Sequence, residues 1–412
     1  MSSSPSDANA TDPPAGAQAP TPSTAAGRSN GRAERILLVL LSLVTVVVFL
    51  VVASTFLPFP VNVVGATLSS FAAYLCAIAL LLAVGTGWLL WRRRTWVRQV
   101  LSGLVVLSLL GAGVIGGRQL ALADRENVDL DLTALFDLPG SAPPDESVDY
   151  TRFEGEDVAL SIWRPQGRDR SSEAEAPIVF LVHGGGWVTG SRLEGVQPEH
   201  ARWFAERGYL VVSADYTLSD KQRHLWNVTE SQIGCALAWT AANAPRYGGD
   251  PSRLAMIGES AGGNLALQAA YKGNAGKLTS SCGGELPEVK AVSALYPGAD
   301  MEVLYNHGAS RTFAEQYTGG SPQQYQDRYA ATTTVNHISP QSPPTLLTTG
   351  ASDGLALPEG TYQLYDRLRS DDVPSHLIDI PYGQHGFDLA TGGVGTQVWR
   401  QATLRWFADH GV

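Results

Sequence analysis

The chain has 412 residues, is 44% hydrophobic and carries a formal net charge of −10. Phosphate groups repel so acidic a surface, which argues against a nucleic-acid partner. The eight histidines are scattered and no His-x-x-x-His or Cys-x-x-Cys spacing occurs, so the sequence predicts no metal site.

The N-terminal third divides into a polar tail and an apolar region. Residues 1–35 are mostly small and polar and predict a disordered tail. Within residues 36–118, three uncharged stretches are each long enough to cross a bilayer as a helix, at about 36–57, 64–91 and 100–117. The first stretch could instead be a signal peptide, but its apolar run exceeds the roughly 7–15 residues of a signal core. Because two more spans follow it, we predict three transmembrane helices.

Basic residues predict the orientation of these helices, since cytoplasmic loops are enriched in Lys and Arg. Arginines precede the first stretch and lie between the second and third, whereas the loop PFPVN between the first two is uncharged. This pattern places the tail in the cytoplasm and everything after Arg118 outside it, as a multi-pass protein of the cell membrane. Few lysines and many arginines and alanines are typical of a GC-rich bacterial genome. In an oxidising compartment Cys235 and Cys282 could form a disulfide or remain two buried thiols, and the sequence leaves both open.

The region beyond the membrane helices predicts one α/β domain. Residues 119–150 are acidic and Pro-containing and are interpreted as a linker. In residues 151–412 short apolar runs alternate with amphipathic stretches, which is typical of a mostly parallel sheet covered by helices. The predicted strands are 158–163, 177–182, 209–214, 254–258, 289–296, 345–350 and 375–380, and the predicted helices are 199–206, 229–244, 261–272, 359–370 and 397–410.

The stretch LAMIGESAGGNLALQAA, residues 254–270, contains the pattern G-x-S-x-G between a buried strand and a helix. A tight turn there exposes the hydroxyl of Ser260, which is the candidate nucleophile. Chance occurrence in a chain with 43 glycines is the alternative for the pattern taken alone.

A serine needs a base, because a free hydroxyl is a weak nucleophile at neutral pH. His385, in GQHGF, follows the last strand and so lies at the same sheet edge as Ser260. Asp353, three residues beyond another strand, is the candidate carboxylate that orients His385. Asp371 and Asp372 compete for that role but fall at a helix end. His200 is expected on a surface helix.

The stretch HGGGW, residues 183–187, follows a predicted buried strand. The backbone N–H groups of Gly185 and Gly186, with Gly184 as an alternate, are expected to form an oxyanion hole together with the N–H of Ala261. His183 is expected to be structural. Trp187 is a candidate substrate-binding residue, which either walls an acyl pocket or packs beneath the loop.

Together, HGGGW, DYTL (215–218), GESAGG, PPTLLTTGASD and GQHGF resemble the hormone-sensitive-lipase-like and feruloyl-esterase-like branch of α/β hydrolases. The resemblance covers roughly residues 150–412 and implies an α/β-hydrolase fold, a Ser-His-Asp triad and no cofactor. The sequence departs from that branch at Glu259, where Asp is commoner, and in the three membrane helices, which put the usual small-ester substrate in doubt.

The sequence therefore predicts a membrane-anchored serine esterase or lipase that acts on an ester or lipid small molecule near the membrane. Rival hypotheses are an envelope acyltransferase with the same triad, a peptidase or amidase, and a catalytically silent binding module. Residues 300–343 are too long for a plain connection and predict a lid. Its aromatic residues either line the substrate side or form the lid's own core: Tyr305, Phe313, Tyr317 and Tyr325. Protein partners are not predicted.

Overall fold

A computed structural model describes residues 25–167 and 175–412 of the chain. Residues 1–24 of the predicted tail lie outside the described residues. Four helices precede the α/β domain: α1 (Ala25–Ser54), α2 (Val63–Ser69), α3 (Ala72–Arg92) and α4 (Trp96–Arg125). Three segments among them are long and apolar enough to cross a membrane: Glu34–Ser54, Ala72–Arg92 and Trp96–Arg125.

The ends of these helices differ from the predicted spans. The second predicted span, at about 64–91, is split, because Phe71 leaves the helical conformation and separates α2 from α3. The third continues past its predicted end to Arg125, and its last turns bury Leu122 and Ala123 against the α/β domain. A strand begins at Glu146, within the segment interpreted as a linker.

One eight-stranded sheet organises the rest of the chain, in the order β1-β2-β4-β3-β5-β6-β7-β8. β2 is antiparallel to both of its neighbours, and the remaining pairs are parallel. This arrangement confirms the predicted α/β fold and is the one that the resemblance implies. The strands are β1 (Glu146–Phe153), β2 (Glu156–Trp163), β3 (Ala176–Val182), β4 (Leu210–Ala214), β5 (Gly249–Glu259), β6 (Val289–Leu295), β7 (Thr345–Gly350) and β8 (Ser375–Ile380).

Helices cover both faces of the sheet, which is why its central strands are almost wholly buried. The covering helices are α5 (Gln197–Ala205), α6 (Thr229–Asn243), α7 (Ala261–Asn274), α11 (Pro358–Ser370) and α12 (Val394–Asp409). Three short helices, α8 (Met301–Asn306), α9 (Arg311–Thr318) and α10 (Gln326–Thr332), occupy the predicted lid region. Cys235 on α6 and Cys282 form a disulfide, which is one of the two alternatives that the sequence leaves open.

Candidate active site

The three candidate triad residues follow three different strands at the carboxyl edge of the sheet. Ser260 follows β5, Asp353 lies three residues beyond β7, and His385 lies in the loop after β8. Because β5, β6, β7 and β8 are parallel, these loops meet at one edge. There Ser260 and His385 line a common cavity, and Asp353 lies behind His385.

Ser260 occupies a strained turn between β5 and α7. Its φ is +54°, in a region that non-glycine residues rarely adopt. The turn is tight because a Cβ atom on Gly262 would lie 2.2 Å from the carbonyl oxygen of Val182. A Cβ atom on Gly258 would likewise lie 2.2 Å from the oxygen of Gly262. Both glycines of the G-x-S-x-G pattern are therefore required by close packing.

His385 bridges the other two candidate residues. The hydroxyl of Ser260 donates to Nε2 of His385 across 2.9 Å, and Nδ1 of His385 donates to Oδ2 of Asp353 across 2.8 Å. The other oxygen of Asp353 accepts the N–H groups of Leu355 and Ala356, at 2.8 and 2.9 Å. The side chain of Asp353 is fully buried, which holds this carboxylate in one orientation.

The glycine loop after β3 lies beside Ser260. Gly185 and Gly186 have φ values of +116° and +60°. Among the described residues, the N–H groups of Gly185, Gly186 and Ala261 donate no hydrogen bond outside regular secondary structure. Ala261 is the first residue of α7, so the positive end of the helix dipole points to the same place. Free N–H groups at a helix N-terminus are suited to bind an oxyanion.

His183 supports the glycine loop from beneath. It is buried, its ring stacks on Tyr216 at 4.3 Å between centroids, and its Nδ1 contacts the carbonyl oxygen of Gly184 at 2.7 Å. Burial lowers the pKa of His183, so its imidazole is neutral near pH 7. These contacts agree with the structural role expected for His183.

Trp187 and the lid region close one side of a cavity of about 420 Å³. Trp187 lines this cavity, but it is only 2% exposed and stacks on Tyr317 of α9 at 4.6 Å. It therefore both packs beneath the loop and contributes to the wall. Of the lid aromatics, Phe313 lines the cavity, whereas Tyr317 is buried in the main hydrophobic core of the domain.

A hydrogen-bonded series of buried polar side chains, which we call the polar chain, lies behind the candidate triad. Arg400 donates to Nδ1 of His200 at 2.8 Å, and Nε2 of His200 donates to Asp388 at 2.8 Å. The hydroxyl of Tyr296 donates to the other oxygen of Asp388 at 2.6 Å and lies 3.3 Å from Glu259. His200 lies on a helix, as predicted, but its side chain is buried and not at the surface. It contacts Trp399 and Arg400 of α12.

Glu259 is the member of the polar chain that lies nearest to Ser260. Burial and then the charge of Asp388 raise the pKa of Glu259 to about 7. The single hydrogen of the Tyr296 hydroxyl is used by the shorter contact with Asp388, so the contact with Glu259 is satisfied when Glu259 carries a proton. The other oxygen of Glu259 lies 3.4 Å from the N–H of Gly184 in the glycine loop.

Glu259 also influences His385, the candidate base. Burial lowers the pKa of His385, but the charge and hydrogen bond of Asp353, followed by the charges of Asp388 and Glu259, outweigh burial and raise it above its usual value. His385 must be neutral to accept a proton from Ser260. Activity is therefore expected to fall as the pH falls through the raised pKa of His385.

Below the raised pKa of His385, kcat/KM is expected to fall with pH, and we call this part of the pH profile the acid limb. The Glu259→Gln variant is expected to shift the acid limb to lower pH. Glutamine resembles protonated Glu259 and keeps its contacts, but it never gains the negative charge that raises the pKa of His385. The measurement is a pH profile of ester hydrolysis by the variant and by Glu285→Gln, a control at an exposed carboxylate. An acid limb that stays in place, or moves to higher pH, would contradict the coupling.

Gln384 is a further residue at the site that the sequence analysis did not single out. Its Oε1 accepts the N–H of Gly354 at 2.5 Å and the N–H of His385 at 2.9 Å. It thereby ties the loop of Asp353 to the loop of His385. Its position directly before His385 was the signal that could have identified it.

Comparisons with known proteins find relatives of the α/β domain. The family model described as BD-FAE matches residues 161–368, half of the chain. The probable carboxylic ester hydrolase LipM of Mycobacterium tuberculosis is 29% identical over 60% of this chain and 56% of LipM. Esterase LipC of the same organism is 28% identical over 58% of this chain and 59% of LipC. The chain thus spans a little over half the length of the curated relatives it matches.

Solved structures show the same fold at lower sequence identity. The propionate-bound esterase Est2 of Thermogutta terrifontis is 20% identical with a TM-score of 0.53, over 66% of this chain and 97% of that one. Esterase LipW of Mycobacterium marinum is 21% identical with a TM-score of 0.51, over 70% of this chain and 84% of that one. These similarities establish the α/β-hydrolase architecture of the C-terminal domain.

Proposed function

The chain belongs to the BD-FAE family, and we propose that it is a membrane-anchored serine hydrolase of carboxylic esters. The observation that carries the proposal is the hydrogen-bonded series Ser260–His385–Asp353, with distances of 2.9 and 2.8 Å. Several relatives are named as esterases, which supports the same activity.

In the proposed reaction, Oγ of Ser260 attacks the ester carbonyl carbon while Nε2 of His385 takes the hydroxyl proton. Asp353 holds the ring and stabilises the imidazolium. The N–H groups of Gly185, Gly186 and Ala261 bind the oxyanion. When the C–O bond to the alcohol breaks, His385 returns the proton to the leaving oxygen. Water then attacks the acyl-enzyme by the same route and releases the acid and Ser260.

We further propose that the three apolar helices anchor the enzyme in the cell membrane with the catalytic domain outside the cytoplasm. The cluster of Arg92, Arg93 and Arg94 at one end of the helices supports this orientation. The disulfide Cys235–Cys282 supports it too, since disulfides persist in oxidising compartments.

Hydrolysis of p-nitrophenyl esters by the full chain in detergent tests the activity, with Ser260→Ala beside the wild type. Ser252→Ala is the control, because Ser252 lies on the same strand at the opposite edge of the sheet. We expect equal amounts of nitrophenol and free acid, lost only in Ser260→Ala. Acyl groups recovered on an added alcohol, with little free acid, would instead establish acyl transfer. Cleavage of p-nitroanilides without hydrolysis of the esters would establish an amidase. A chain that cleaves neither substrate would be a binding module.

A further inference from the structure

The loop between the first two spanning helices, residues 55–71, carries several exposed apolar side chains. We call this segment the outer loop. Clustered exposed apolar side chains mark a site of contact with a membrane or a protein. Five of its side chains are between 44% and 58% exposed: Phe56, Leu57, Phe59, Val61 and Val64.

The length of α3 places the outer loop at the bilayer surface. In a membrane-spanning α3, the arginines at its end and just beyond it would stay at the level of water and head groups: Arg92, Arg93 and Arg94. The 21 residues of α3 rise about 31 Å, close to the thickness of the hydrocarbon core. The opposite boundary therefore lies near Ala72, and the outer loop lies in the head-group layer. This placement holds whichever side of the membrane the loop faces.

The outer loop contacts the segment that carries Asp353. The ring of Phe59 lies against Gly354, where an added Cβ atom would be 2.5 Å from the ring. Phe59 also packs on His307 at 5.1 Å between ring centroids, and Nε2 of His307 contacts the carbonyl oxygen of Gly354 at 2.7 Å. The residue after the candidate catalytic carboxylate is therefore clamped between Phe59 and His307.

The outer loop also contacts the segment that carries His385. Phe56 packs edge-on against Tyr382 at 5.3 Å, and Oγ of Ser69 donates to the carbonyl oxygen of Tyr382 at 2.8 Å. On α4, Nε2 of Gln119 donates to the carbonyl oxygen of Ser69 at 3.2 Å. Both loops that orient the base are thus in contact with a membrane-surface segment.

The cavity beside Ser260 reaches the same side of the domain. Leu355 and Ala356, the residues after Gly354, line it, and so does Leu389, which is 47% exposed. An acyl chain that passes from the bilayer along these side chains would not have to cross water, which is costly for every methylene group.

We propose that the active site takes its substrate directly from the bilayer, and that this substrate is an acyl ester of a membrane-resident amphiphile. Phe59 is the positioning residue that joins the membrane surface to the loops of Asp353 and His385. This inference rests on the proposed hydrolase function and adds the substrate class and its route of entry.

The test uses the full chain in phosphatidylcholine vesicles and two fluorogenic esters with one leaving group, 4-methylumbelliferyl oleate and 4-methylumbelliferyl butyrate. The oleate is placed either in the vesicles that hold the protein or in separate protein-free vesicles. We expect hydrolysis at least about tenfold faster in the shared vesicles, because the acyl chain desorbs slowly into water. Equal oleate rates, with Ser260-dependent hydrolysis of the soluble butyrate, would overturn the inference and leave the proposed function intact. Failure of both esters to show Ser260-dependent hydrolysis would overturn the proposed function itself.

The positioning role of Phe59 has its own readout in the same assay. Phe59→Ala is expected to lower kcat for the soluble butyrate about tenfold at unchanged KM, since small displacements of catalytic groups reduce the rate strongly. Phe59→Leu should retain more activity, because it keeps apolar contact with Gly354. Val61→Ala is the matched truncation in the same loop, at a side chain that is 58% exposed. Equal kcat values for Phe59→Ala and Val61→Ala would overturn this role.

Discussion

The Asp353→Asn variant is expected to lose about four orders of magnitude in kcat/KM at neutral pH. The N–H groups of Leu355 and Ala356 require an oxygen at one position of this side chain. An asparagine that satisfies them turns its NH₂ group toward Nδ1 of His385. That nitrogen must then accept a hydrogen bond, which moves the ring proton to Nε2, where Ser260 needs a base.

Steady-state hydrolysis of a p-nitrophenyl ester measures this loss, and Asp371→Asn provides the control. Asp371 competes with Asp353 for the role on sequence grounds, but it pairs with Arg367 at the end of α11, at 2.8 Å. We expect Asp371→Asn to behave as the wild type. A comparable loss in both variants, or a larger one in Asp371→Asn, would contradict the assignment of Asp353.

The candidate nucleophile and base were accessible to sequence reasoning because their positions depend on local features. Ser260 stands in a turn whose two glycines are needed for close approach of neighbouring backbone, a requirement that is visible in the sequence itself. Asp353 follows the fully buried strand β7, and His385 follows β8, a strand at the edge of the sheet that buries Ile378 and Ile380. Parallel strands bring such loops to one sheet edge without any knowledge of side-chain contacts.

The polar chain behind the site could not be predicted in this way. Asp388, Tyr296 and His200 come from three distant segments, and only tertiary packing brings their side chains together. The first strand was missed for a different reason. β1 is an edge strand that buries little more than Tyr150, so its sequence shows no apolar run.

The contacts of the outer loop could not be predicted from the sequence either. Its apolar residues were included in or placed next to predicted spans because composition alone cannot separate a membrane helix from an apolar loop at its end. The contact between Phe59 and Gly354 joins segments almost 300 residues apart. Tertiary packing determines such contacts, and periodicity in the sequence does not predict them.

The glycine loop gives the second large expected effect, in the Gly185→Ala variant. Gly185 has a φ of +116°, and an added Cβ atom would lie 1.9 Å from the carbonyl oxygen of Thr189. The loop cannot absorb this contact by a small shift, because the N–H groups of Val188 and Thr189 both donate to the carbonyl oxygen of Gly185. The peptide must therefore turn, and its N–H group leaves the position where it would meet the oxyanion.

We expect Gly185→Ala to lower kcat about 10²- to 10³-fold with KM little changed, since oxyanion donors act mainly in the transition state. Gly155→Ala controls for the general cost of alanine at positive φ. Its φ is +90°, no atom lies within 4 Å of the added Cβ, and it lies in the turn between β1 and β2. Thermal unfolding of both variants separates a local effect from a loss of fold. If Gly185→Ala lowered kcat no more than Gly155→Ala does, the glycine loop would not be the oxyanion site, and stabilisation would have to come from Ala261 and the helix dipole alone.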